Sequence, residues 1–136
     1  MPFDGGEFTY RQRMIETIDE VLELFDVESK WCKGKLKTPD GWYCILGALL
    51  EVGAASLVRG VILKAAKAVT GHRYSRIEHF NDDPPTDYPT LIATLRRARQ
   101  DIALGRMSWL VRVRAKLAVD GWRKTAALLM RATSSV

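Results

Sequence analysis

Cysteine and histidine are scarce in this chain, and the scarcity excludes a good deal of chemistry. Its 136 residues hold two cysteines, Cys32 and Cys44, and two histidines, His72 and His79. Two cysteines are too few for a disulfide scaffold and read as reduced thiols in a cytosol. No C-x-x-C or other zinc-type spacing occurs, so neither a structural metal nor a cofactor is expected. Long apolar runs are lacking as well. The longest candidate, residues 45–50, is interrupted by Glu51 and Gly53, far short of the roughly 18 residues a membrane span needs. The opening Met1-Pro2-Phe3-Asp4-Gly5-Gly6-Glu7 has neither the basic start nor the apolar core of a signal peptide. The expectation is a cytoplasmic protein with no membrane partner.

What is present fits a folded chain. A hydrophobic fraction of 47% and a charged fraction of 27% are near globular averages, which predicts one helical domain over residues 1–136 with a real core. The net charge of +5 conceals a polarity. Residues 1–30 carry eight acidic side chains against Arg11, Arg13 and Lys30, whereas residues 96–136 carry ten basic ones against Asp101 and Asp120. Two readings stay open: the ends pack together and neutralise, or the basic end meets an acidic partner.

Apolar residues at three- and four-residue spacing predict an all-α protein, a compact bundle of five or six short helices. Met14, Ile15, Ile18, Val21, Leu22 and Phe25 define a helix over residues 10–26, with Thr9 as its N-cap. Residues 29–41 have the Gly, Pro and Asp-Gly chemistry of a loop with a basic edge, from which Trp31 folds back onto the core. A second helix is predicted from Trp42 or Tyr43 to about Val52, capped by Asp40, with Gly47 and Ala48 letting another helix approach. This helix is expected at the centre, with Trp31, Trp42 and Phe80 clustered against it. Leu57, Val58, Val61, Ile62, Ala65, Ala66 and Val69 mark a third, closed by a left-handed Gly71. Ser75 and Glu78 have capping-box spacing for a short helix through Phe80, followed by a turn over residues 81–85. Thr86 or Asp87 caps a further helix, with Pro89 in its first turn and Gly105 at its end. Residues 107–132 fit one helix, two helices or a strand, and helix is favoured because no second strand is available for pairing.

Trp31, Gly34, Gly41, Cys44, Leu46, Gly47, Ala48, Leu49, Phe80, Asn81, Asp82 and Ala98 together form a pattern: a Trp loop, a Gly-x-x-Cys-x-x-Gly-Ala-Leu helix, an aromatic-Asn-Asp turn and an Ala-rich helix. In this the chain resembles a family of small uncharacterised bacterial and phage proteins over about residues 10–104. Phe80 stands where that pattern prefers Trp, and the basic segment 106–136 extends beyond the shared core. The resemblance supports the helical fold and carries no activity with it.

Three constellations could bear chemistry. Cys44 in a first helical turn would feel exposed N–H groups that favour the thiolate, with His79 or His72 as base and Asn81 or Asp82 as its orienter. Against this, free cysteines are commonly buried and behave as small hydrophobes. Asn81-Asp82-Asp83 could chelate a cation, but such residues more often build turns. The third is the basic end: Arg96, Arg97, Arg99, Arg106, Arg112, Arg114, Lys116, Arg123, Lys124 and Arg131, accompanied by Trp109 and Trp122. Arginines contact phosphates and exposed rings stack on bases, although no nucleic-acid motif is recognisable. The leading expectation is a non-catalytic binding or regulatory module using that basic surface. Its partner would be nucleic acid, an acidic protein, or a second copy in a homo-oligomer. The alternative is a cysteine-dependent hydrolase or transferase with Cys44 as nucleophile and His79 as base.

Overall fold

The computed structural model describes residues 5–53 and 55–107. Helix α1 spans Gly5–Leu24, α2 Ile45–Glu51, α3 Ala55–Thr70, α4 Ile77–Asp82 and α5 Tyr88–Ala103, with a 3-10 turn at Glu28–Lys30. Among the described residues no strand forms and every regular element is helical, as the periodicity predicts. Residues 107–132 lie outside the described region apart from the buried Met107, and so does the choice between helix and strand there.

The three longer helices carry the core. α1 buries Tyr10, Met14, Ile18 and Val21 on one stripe, continued by Phe25 just past its end. α3 buries Leu57, Val58, Val61, Ile62, Ala65 and Ala66, and α5 buries Leu91, Leu95, Ala98 and Ile102. α5 packs along both α3 and α1, and the small Ala65, Ala66 and Ala98 suit close approach of those axes. Each large side chain removed from water in this way contributes roughly 1.5–3 kcal/mol. Polar ties fix the register. The Tyr88 hydroxyl donates to the Phe25 carbonyl at 2.6 Å, joining the start of α5 to the end of α1. Arg99 donates through Nε and Nη2 to Asp19 at 2.7 and 3.3 Å. That pair links acidic α1 to basic α5, so part of the charge polarity is neutralised within the fold. Both partners are solvent-exposed, which limits the pair to about 0.2–1 kcal/mol.

Several local expectations are revised. α1 begins at Gly5, so Thr9 lies inside it and cannot cap it. α2 starts at Ile45, capped by Cys44 and not Asp40, because Trp42 and Tyr43 are held extended by bridges from Tyr43 to Trp31 and to Lys37. The close approach at Gly47 is made by the loop, not by a helix: a Cβ there would overlap the carbonyl oxygen of Leu36. α2 is a short flank of the bundle, since α5 lies between the two other long helices. Trp31 and Phe80 pack with the core, but Trp42 remains 36% exposed. Arg76, without a side-chain bond, stands at the N-cap of α4 in place of Ser75. Asn81 and Asp82 complete that helix and do not begin a turn. Gly71 takes φ +74 directly after α3, as predicted.

Asp87 is the cap of α5, accepting the Thr90 backbone N–H at 2.9 Å and the Thr90 hydroxyl. These bonds hold its carboxyl below the usual carboxylate range. A depressed folded-state pKa gives stability that is present above the unfolded pKa and lost as pH falls through the folded one. Asp87→Ala should therefore lower the urea midpoint at neutral pH and weaken the acid-induced loss of stability. Asp87→Asn keeps an acceptor and should retain most of the cap.

Gly47→Ala supplies a second test. An ordinary interior helix position gains about 1 kcal/mol from Gly to Ala. Here the Leu36 backbone must move, and urea denaturation should show a net loss of about 1–3 kcal/mol.

Candidate functional site

Residues 31–44 leave the 3-10 turn, run out through Gly34 and Gly41, and return to the start of α2. Tyr43 N–H donates to Lys30 O at 3.2 Å and Cys32 N–H to Tyr43 O at 3.0 Å, one rung of a parallel ladder. The next rung would join Ile45 N–H to Cys32 O. Instead the carboxamide of Asn81, from α4, is inserted between them. Its Oδ1 accepts from Ile45 N at 3.0 Å, and its Nδ2 donates to Cys32 O at 3.1 Å. The same Oδ1 accepts from Trp31 Nε1 at 2.7 Å, and the same Nδ2 donates to Asp82 Oδ1 at 2.8 Å. An asparagine side chain has two acceptor and two donor positions, and this fully buried one uses all of them.

The neighbours of Asn81 close the junction. Asp82 Oδ1 also accepts from Gly34 N at 2.9 Å, where Gly34 takes the left-handed φ of +76 that a side chain would disfavour. Lys33 Nζ donates to the Asp83 carbonyl at 2.9 Å, and the Tyr74 hydroxyl donates to the Asp83 carboxylate. Hydrogen bonding to that carboxylate pushes the Tyr74 phenol upward. The Asp82 and Asp83 side chains thus face different partners. Among the described residues no group of three or more His, Cys, Asp or Glu side chains is arranged to hold a metal ion.

Cys44 is buried, and its Sγ accepts the Gly47 N–H at 3.3 Å as the N-cap of α2. Burial pushes its thiol up, against the lowering effect of the Gly47 and Leu46 N–H groups and with the Asp82 carboxylate adding to the rise. Of the two effects set against each other in the sequence, the helix-start N–H groups and burial, burial prevails. His79 is exposed on α4 and makes no hydrogen bond to Cys44. His72 is exposed too and meets the edge of Tyr74 at 4.9 Å. Cys44 and Asn81 are brought together as structural partners of one junction, with neither imidazole joined to them.

Charged side chains surround this frame. Lys30 lies 5.8 Å from the Trp42 ring centre, Lys33 5.3 Å from Trp31, and Lys37 5.3 Å from Tyr43. Lys33, Lys35 and Lys37 are exposed. The sequence marked Lys33, Lys35 and Lys37 as the loop's basic edge but not as site residues, although Trp31, Trp42 and Tyr43 flank them. Of the predicted arginines, Arg96, Arg97 and Arg99 line one open face of α5. Arg99 is paired with Asp19, Arg97 bonds the buried Asp101 at 3.1 Å, and Arg96 and Arg106 are exposed. Arg112, Arg114, Lys116, Arg123, Lys124 and Arg131 lie outside the described residues. No helix among the described residues is long and apolar enough to cross a membrane.

Removing the inserted amide should be costly. Asn81→Ala strands the buried Ile45 N–H and the Cys32 carbonyl, each worth about 1–3 kcal/mol. Urea unfolding should show a loss of roughly 3 kcal/mol or more on that basis. Asn81→Asp keeps the acceptor but turns the donor into a second anionic oxygen facing Cys32 O and Asp82. Its deficit should shrink on acidification, when a protonated carboxyl regains a donor. A deficit that does not change with pH would rule out that assignment of the carboxamide.

No curated protein and no solved structure gives a match to this chain. A family match does cover most of it, from before Tyr10 through α5 to the buried Asp101, and includes every residue of the Asn81 junction. The chain belongs to the family of unknown function DUF6197, matched over residues 9–101.

Proposed function

We propose that this protein is a non-catalytic cytoplasmic binding module that holds an acidic partner, nucleic acid or an acidic protein surface, on its basic side chains. The observation that carries this reading is the division of labour around Asn81. Its carboxamide has no bonding capacity left, and the Cys44 thiol is committed to capping α2. Meanwhile Lys33, Lys35 and Lys37 on the loop, and Arg96 and Arg106 at α5, are exposed. A rigid frame with cations on its outside suits recognition better than turnover. By sequence, residues 106–136 carry further arginines and lysines, and these are part of the same proposal. The cysteine-hydrolase alternative has less support, since it needs an accessible low-pKa thiol with a base in reach.

The test is binding of labelled duplex, single strand and polyglutamate across a salt series. Nucleic-acid affinity should fall with salt with a slope of about −0.9 per phosphate contact, so Lys35→Ala/Lys37→Ala should flatten it by up to about two contacts' worth. Binding of polyglutamate alone would select the protein partner. If none of the three binds at low salt, the reading fails.

A further inference from the structure

We propose that Cys32 and Cys44 are a thiol pair that a hydroperoxide converts to an internal disulfide, making the loop junction an oxidative modification site. Backbone register carries this inference. The rung between Lys30, Cys32 and Tyr43 pairs Trp31 with Tyr43 in the parallel sense. The next residues along each segment are Cys32 and Cys44. Successive side chains of extended backbone alternate in direction, so both cysteines project to the face opposite the Trp31 and Tyr43 rings. Cys44 is itself extended, at φ −81 and ψ 175. Just beyond the pair the segments are held one carboxamide apart, by the Asn81 bonds to Cys32 O and Ile45 N. At the last rung, Trp31 and Tyr43, paired segments lie about 4.8 Å apart. Disulfides span Cα separations up to about 6.8 Å, which leaves room for the widening that the Asn81 carboxamide imposes one residue further on.

Both thiols are free, Cys32 half-buried and Cys44 buried. Each has a modest hold to release: Cys32 Sγ donates to Lys35 O at 3.3 Å, and Cys44 Sγ accepts from Gly47 N at 3.3 Å. They are close enough that ionised Cys44 disfavours ionisation of Cys32, and Asp82 acts on both in the same sense. The more accessible Cys32 reacts first. Its thiolate attacks the peroxide, the O–O bond breaks, an S–O bond forms, and the leaving oxygen takes a proton as water or alcohol. Cys44 thiolate then attacks the sulfenic sulfur. The S–O bond breaks, the S–S bond forms, and hydroxide leaves with a proton as water. Two thiols lose two electrons, and one hydroperoxide gains them. Burial raises both thiols, so the reaction is slow at neutral pH and speeds up as pH rises towards their pKa values.

The test uses the full chain exposed to hydrogen peroxide at about pH 7 and about pH 8.5, then denatured and alkylated. The expected product is a monomer about 2 Da lighter that takes up no alkylating agent, formed roughly tenfold faster per pH unit. Trypsin cutting at Lys33, Lys35 and Lys37 should leave the flanking pieces joined until a reductant is added. Cys32→Ser, at a half-buried position outside the helices, should abolish the product. The proposal is overturned if both cysteines still alkylate after exposure. It is also overturned if Cys32 ends as sulfinic acid beside a free Cys44, or if only cross-links between chains form. None of these outcomes depends on whether an acidic partner binds.

Discussion

One side-chain amide governs how the loop, α2 and α4 meet. Two extended segments that begin a parallel ladder ordinarily continue it or diverge into solvent. Here they diverge into the core edge, where an N–H and a carbonyl left unpaired would each cost free energy. The Asn81 carboxamide is chemically a peptide group without a chain, so it fits between them with donor and acceptor in the right order. Because Asn81 sits on α4 beside the buried Phe80, the loop's register is set by the same packing that places α4. The Trp31 indole and the Asp82 carboxylate use the two positions that remain. Backbone bonds within residues 30–44 shape the loop, and the Asn81 carboxamide ties that loop and the start of α2 to α4.

The charge arrangement follows a related logic. Acidic α1 and basic α5 are neighbours in the bundle, and Arg99 reaches Asp19 across them. Arg97 turns along its own helix to the buried Asp101, which is 2% exposed and would be an uncompensated charge without it. Some of the cations that look like a binding footprint in sequence are therefore consumed by the fold. Two loop lysines are held differently. Lys33, which also donates to the Asp83 carbonyl, lies over the Trp31 ring, whose indole N–H is bonded to Asn81. Lys37 lies over the ring of Tyr43, whose backbone the bridges to Trp31 and Lys37 hold. Cations held over rings lose less freedom when an anion arrives than cations on free stems.

The helices were legible because their apolar spacing is a local property. The α3 stripe from Leu57 to Ala66, the Asp87 cap and the left-handed Gly71 all follow from residues within a turn of one another. The start of α2 was not legible for the opposite reason. Trp42 and Tyr43 have acceptable helical neighbours, and contacts with Lys30, Trp31, Cys32, Lys37 and Thr38 hold them extended. Gly47 was recognised as a close-approach residue, but its partner, the Leu36 backbone, comes from the loop and leaves no periodic trace. Asn81 was noticed for its place in an aromatic-Asn-Asp pattern. Three of its four partners, Trp31, Cys32 and Ile45, lie 36 to 50 residues away, a set that no local rule encodes.

Cys44 shows how two valid physical effects are ranked by geometry. Backbone N–H groups at a helix start do lower its pKa, as position alone suggests. Yet the sulfur that accepts the Gly47 N–H belongs to a buried residue whose own N–H is bonded to the Leu36 carbonyl of the loop. The burial that makes the cap possible is the burial that raises the pKa. A thiol of this kind gains its reactivity from a second thiol in register beside it. That condition depends on backbone pairing, and neither cysteine's sequence neighbourhood reveals it.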